Sequence, residues 1–87
     1  MMSGPLRRFW FPIPGYLGVG VTAPTESEAR SLAEWARAKC WPAAPAVGHV
    51  VVDVDISTLD QKHVVPNMEA PIWAGVWYPR GLQKSHS

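Results

Sequence analysis

The side chains with the most chemical potential are crowded between positions 40 and 67: Cys40, His49, Asp53, Asp55, Asp60, His63 and Asn67. Three chemistries are open to them. Cys40 with His49 or His63 could form a thiolate–imidazole pair for nucleophilic catalysis. His49, Asp53, Asp55, Asp60 and His63 are the imidazole and carboxylate donors of a metal site. Asp60 beside His63 is the pair best placed for acid–base work or for a small-molecule site with Asn67. Each has a plainer reading. Cys40 falls on the apolar stripe of a helix near its C-terminus, where the dipole disfavours a thiolate. Asp53 and Asp55 share parity with His49 and read as the solvated face of a strand. Asp60 and His63 can simply tie down a loop. No spacing fixes a ligand set, so the sequence implies no metal, no cofactor and no catalytic residue.

The stronger signal is aromatic. The chain has five tryptophans in 87 residues, and two of them, Trp73 and Trp77, follow a loop punctuated by Pro66 and Pro71. Those prolines fix φ and remove backbone donors, so the segment between them is shaped without being a ladder. Asn67 after Pro66 suits an Asx turn or a positive φ. Met68 can plug the gap beneath it. A long ordered loop on a small domain is often functional. Trp10, Trp73, Trp77 and Tyr78 with His63, Pro66, Asn67 and Met68 are therefore the candidate binding residues. They form a contact surface if the sheet face carrying the tryptophans is open, because Trp and Tyr dominate hot spots. If it is closed, they wall a second small core beneath the 61–71 loop. Arg7 and Arg8 beside Trp10 would make the same face a stacking and phosphate-binding platform for nucleic acid.

Bulk properties narrow these choices. A formal net charge of +1 gives no field for nucleic acid or for a membrane surface. Arg7 and Arg8 precede a short apolar run broken by Pro12 and Pro14, which reads as neither a signal peptide nor a membrane span. A single cysteine excludes an internal disulfide and a cysteine-based zinc site. The expected setting is cytoplasmic. A chain of this length forms one domain that buries roughly 60–65% of its unfolded surface.

The elements that would position these residues are legible in the patterning. Leu6 to Ile13 alternates as a strand, with Phe9, Phe11 and Ile13 on one face and Arg8 and Trp10 on the other. Pro14-Gly15 is a turn, and Tyr16 to Ala23 is the second strand of a hairpin. Trp10 can then cover the bare backbone of Gly18 or Gly20. Thr25 to Cys40 is a helix, opened by a Thr25–Glu28 capping box and stopped by Pro42. Its buried stripe of Ala29, Leu32, Ala33, Ala36 and Cys40 is small enough to lie close to a sheet. His49 to Ile56 alternates as a third strand, with Val50, Val52, Val54 and Ile56 inward. Ser57 to Asp60 is one helical turn capped by Asp55 or Ser57. Ile72 to Tyr78, apolar on both faces, is expected as a central strand.

This order is ββαββ: an α+β domain over residues 6–79, with one helix on a mixed sheet of about four strands and tails at 1–5 and 80–87. A β-grasp, ubiquitin-like arrangement fits if the last strand returns to the centre; a ferredoxin-like split β-α-β is the alternative. A conjugated ubiquitin-like protein ends in an exposed glycine, which this chain would reach only by trimming at Gly81. Three blocks, Gly18-Val-Gly-Val-Thr-Ala23, His63-Val-Val-Pro-Asn-Met68 and Gly75-Val-Trp-Tyr-Pro79, resemble a small family of bacterial single-domain proteins of about this length. That family carries no assigned activity, so the resemblance implies no catalytic residue. The reading that follows is a small non-enzymatic module that binds a protein partner, or itself as a homodimer, through the aromatic sheet face and the Pro66-Asn67-Met68 loop.

Overall fold

The computed structural model describes residues 5–82. Its elements are β1 (Arg7–Phe11), β2 (Val19–Ala23), α1 (Glu26–Cys40), β3 (Val51–Val52) and β4 (Gly75–Tyr78), with 3-10 turns at Ile56–Thr58 and Val65–Asn67. One helix packs on a four-stranded open sheet of order β3-β1-β2-β4, an α+β architecture.

The first hairpin forms as its alternation requires. Pro14 and Gly15 occupy the middle of a turn closed by Tyr16 N–H donating to the Ile13 carbonyl at 2.8 Å, and Gly15 takes φ +85°. Proline followed by a residue at positive φ is what a type II turn demands. Phe9, Phe11, Ile13, Val19, Val21 and Ala23 then face α1, which presents Ala29, Ala33 and Ala36. The alanines let the helix lie close to the sheet, and Leu32, Trp35, Trp41, Val47 and Val50 fill the margins of this core. Thr25 caps α1 by accepting the Glu28 N–H at 3.2 Å, and Arg30 pairs with Glu26 one turn along at 2.8 Å. At the other end Arg37 pairs with Glu34 and donates to the Ala44 carbonyl at 2.9 Å, and Glu34 accepts the Val47 N–H at 3.1 Å. These bonds fasten the proline-rich connector to the helix.

The sheet is not mixed: every neighbouring pair is antiparallel. Because β1 stands between β2 and β3, the α1 crossover joins two strands that run the same way with an opposed strand between them. The last strand is also not central. It pairs with β2 alone and forms one edge, so it does not take the central place that a β-grasp order requires. It is apolar on both faces because both faces are covered, which does not require that both edges be paired. Val76 packs against the helix-side core and Trp77 against the opposite one.

Two irregularities break the expected alternation. In β3 only Val51 and Val52 pair, both exposed, and Asp53 turns to φ +57°. Asp53 N–H and Val54 N–H both donate to the Arg8 carbonyl, at 2.7 and 3.3 Å, the two-against-one pattern of a bulge. Val50 therefore serves the helix-side core, while Val54 and Ile56 serve the opposite one. In β4 the register steps from Gly20↔Tyr78 to Val21↔Val76, so Trp77 is the extra residue. Both Trp77 and Tyr78 consequently join the cluster away from the helix. Beyond Pro79, Gly81 N–H donates to Glu69 Oε2 at 3.2 Å and Leu82 packs against the helix-side core. Gly81 and Leu82, expected as tail, are thus attached; of the two expected tails, 1–4 and 83–87 lie outside the described residues. Among the described residues no helix is long and apolar enough to cross a membrane.

Candidate binding surface

The sheet face opposite the helix is where the sequence places the aromatic contact surface. Trp10 and Trp77 stack with centroids 6.1 Å apart and planes 25° from parallel, and Tyr78 lies 5.8 Å from Trp10. Both tryptophans rest on glycine. A Cβ at Gly18 would sit 2.7 Å from the Trp10 ring, and one at Gly20 would sit 2.4 Å from the Trp77 ring. The expected cover of Trp10 over glycine therefore holds for Gly18, and Trp77 takes Gly20. These rings do not face solvent. Trp77 is 1% exposed and Trp10 and Tyr78 are 8% exposed, because the segment from Val54 to Met68 crosses over them. Val54, Leu59 and Val64 are buried against the aromatics, with Ile56, Val65 and Met68 packed alongside. The open aromatic face is in fact a second core. Burial raises the pKa of the Tyr78 hydroxyl.

The polar residues of the loop hold this cover in shape. Asp55 caps the first 3-10 turn, accepting Ser57 N–H at 3.0 Å and Ser57 Oγ–H at 2.8 Å. Asp60 accepts the backbone N–H groups of Lys62 and His63, each at 2.8 Å, and its Oδ2 lies 3.2 Å from His63 Nδ1. Hydrogen bonds to the charged form hold both carboxyls below their ordinary range: the Ser57 hydroxyl first for Asp55, and the His63 and Lys62 amides first for Asp60. Asn67 lies in the second 3-10 turn rather than at positive φ, and donates to the His63 carbonyl at 2.9 Å. Asp60, His63 and Asn67 are thus brought together, exposed, with their polar atoms directed at one another and at the loop backbone.

The arginines are committed elsewhere. Arg7 makes a two-point pair with Asp53 at 2.8 and 3.0 Å, and Arg8 Nε donates to the Val54 carbonyl at 3.1 Å. They fasten the start of the cover, and the tryptophan they flank is beneath it. Burial raises the pKa of the Cys40 thiol, against a smaller opposing effect of Lys39. Among the described residues no three His, Cys, Asp or Glu side chains converge on a point that could hold a metal.

Trp73 alone of the predicted aromatics stands outside. It is 69% exposed and its neighbour Ile72 63% exposed. Both sit in the turn that leads into β4, held at each end by the same residue of β2. Thr22 Oγ1–H donates to the Pro71 carbonyl at 2.6 Å, and Thr22 is the register partner of Gly75. Pro66 and Asn67 are also exposed. One further feature escapes the sequence reading: a cleft of about 380 Å³ between the first hairpin turn and the connector after α1. Pro12, Pro14, Tyr16, Pro45 and His49 are among its walls. Its signal is the pair of proline-rich stretches at 12–15 and 42–45, which contribute Pro12, Pro14 and Pro45 to its walls. No family model, curated protein or solved structure matches the chain.

Proposed function

We propose that this protein is a small non-enzymatic interaction module whose contact surface is the Ile72–Trp73 corner together with the outward loop residues His63, Pro66 and Asn67. Trp10, Trp77, Tyr78 and Met68 support that surface from within. The observation that carries the proposal is two consecutive large apolar side chains, 63% and 69% exposed, on a turn braced at both ends by Thr22. An exposed indole on a fixed backbone presents contact area at little entropic cost, and tryptophan is the residue most enriched in binding hot spots.

The partner is a protein that offers an apolar pocket, docked through side chains. Pairing along a sheet edge is the less suited mode. β3 is two residues long and ends in the Asp53 bulge, and the Trp77 carbonyl of β4 already accepts the Glu69 N–H at 2.7 Å. Short, bulged and covered edges resist strand addition.

A photo-crosslinking amino acid in place of Trp73, with the exposed helix position Ala38 as control, tests this in the host cells. A discrete adduct from position 73 that is absent from position 38 supports the proposal. Its mass separates a second copy of the 9.6 kDa chain from another protein. Equal labelling from both positions, or none from 73, would refute it.

A further inference from the structure

The segment that covers the aromatic face is hydrogen-bonded mostly within itself. Its backbone bonds close on themselves: Thr58 N–H to Asp55 O, Leu59 to Ile56, Val64 and Val65 to Asp60, and Asn67 to Val64, all between 2.9 and 3.1 Å. Its side chains do the same. Asp55 and Asp60 accept from Ser57, Lys62 and His63, Gln61 Nε2 donates to the Leu59 carbonyl at 2.8 Å, and Asn67 donates to His63. Hydrogen bonds from this stretch to the sheet stand only at its ends among the described residues. At one end Asp53, Val54 and Arg8 bond to each other; at the other Glu69 N–H donates to Trp77 O. Between those points the contact is apolar, made by Ile56, Leu59, Val64, Val65 and Met68 on Trp10, Trp77 and Tyr78.

Two further observations belong to the same place. Asp53, at the first attachment, holds φ +57°, a conformation that breaks the strand and starts the cover. Beneath the cover, Trp77 Nε1 is the buried side-chain polar atom left without a hydrogen-bond partner among the described residues. An unpaired buried donor favours any state in which it meets an acceptor.

We propose that residues 55–68 are a hinged cover that opens as a unit about Asp53–Val54 and Met68–Glu69, uncovering Trp10, Trp77 and Tyr78 while the sheet and α1 stay folded. Opening breaks no hydrogen bond between the cover and the sheet, and it lets Trp77 Nε1 donate to water. Once off the sheet, 3-10 turns this short do not keep their own hydrogen bonds, so the cover's amides exchange together while it is open. Global unfolding must also dissolve the β ladders and the helix-side core. Local opening therefore lies below global unfolding in free energy, as expected for a segment held to the sheet between its ends by apolar contacts alone and otherwise by its own local bonds. The proposal does not rest on the Ile72–Trp73 corner, although the cover carries His63, Pro66 and Asn67 of the proposed contact surface.

Native-state hydrogen exchange by NMR, in the intact chain with low denaturant, tests it. The amides of Thr58, Leu59, Val64, Val65 and Asn67 should share one protection factor, at least ~10-fold below that of the β1–β2 ladder, with a weaker dependence on denaturant. Leu59→Ala should speed these five together, by more than it speeds the ladder amides. Cover and ladder amides that exchange with the same protection and the same denaturant slope would overturn the proposal. So would five unrelated rates, which would show fraying in place of a unit.

Discussion

Gly20→Ala probes the packing of the second core at its tightest point. Gly20 lies in β2 opposite Trp10, and its φ is one that alanine adopts without strain. The obstacle is space. A Cβ there would meet Trp77 Cη2 and Cζ3 at 2.4 Å and Cε3 at 2.6 Å, where ordinary contact begins at 3.4 Å. The indole would have to withdraw by about 1 Å, and it is 1% exposed with Trp10 stacked against it. Overpacking a filled core costs ~1–3 kcal/mol, and displacing a whole ring belongs at the upper end. A loss of ~3 kcal/mol in a domain of this size lowers Tm by roughly 12–24 °C. Urea denaturation followed by far-ultraviolet circular dichroism gives the free energy directly. Two other glycines calibrate it. Gly48→Ala meets nothing within 4 Å and should stay within ~0.5 kcal/mol. Gly15→Ala also meets open space but must hold φ +85°, at a cost of ~1 kcal/mol. In a Trp77→Leu background the penalty at Gly20 should shrink by ~1–2 kcal/mol. A Gly20→Ala protein as stable as the parent, or one whose penalty ignores Trp77, would refute the packing argument.

Trp73→Ala should leave stability within ~0.5 kcal/mol by the same denaturation assay, whereas Trp10→Ala should cost ~3–5 kcal/mol, because only the second creates a cavity. Thr22→Val keeps the shape of a buried side chain but removes the bond to the Pro71 carbonyl; ~1–2 kcal/mol should be lost, and the Ile72–Trp73 amides should exchange faster. Acid should loosen the cover. Asp55 and Asp60 are held below their ordinary range in the fold, so the unfolded chain binds protons more readily. Their contribution is complete above about pH 4 and is lost as the pH falls through the folded-state values. Asp60→Asn should therefore flatten the acid limb of a stability–pH profile, and an unchanged limb would contradict the assignment.

How much of this was legible in the residues depends on where the alternation holds. Phe9, Phe11 and Ile13 against Val19, Val21 and Ala23 named the helix-side core, because a hairpin with one apolar face has only one useful register. Thr25 named the helix start, since its hydroxyl satisfies an orphan donor. The period-two reading failed at Asp53 and at Trp77, where one extra residue on a strand sends the following side chains to the other face. Neither position carries a glycine or proline to mark the bulge. The place of β4 was missed for a related reason. An apolar run reports that both faces are covered, and in this fold Val54 to Met68 supply the second covering from the chain itself. For the candidate surface, composition singled out the aromatics but not their partition: Trp10 and Trp77 are held inside by glycine backbone and by the cover, while Trp73 is left outside by the turn between Pro71 and Gly75.

That partition is the point on which the account stands, and fluorine NMR of the protein labelled with 5-fluorotryptophan measures it most directly. Five resonances are expected, assigned by single Trp→Phe variants, and a soluble paramagnetic agent reports the exposure of each. Strong broadening is expected for Trp73 and protection for Trp77 and Trp10. A protected Trp73, or a Trp77 that broadens as readily as Trp73, would contradict that partition.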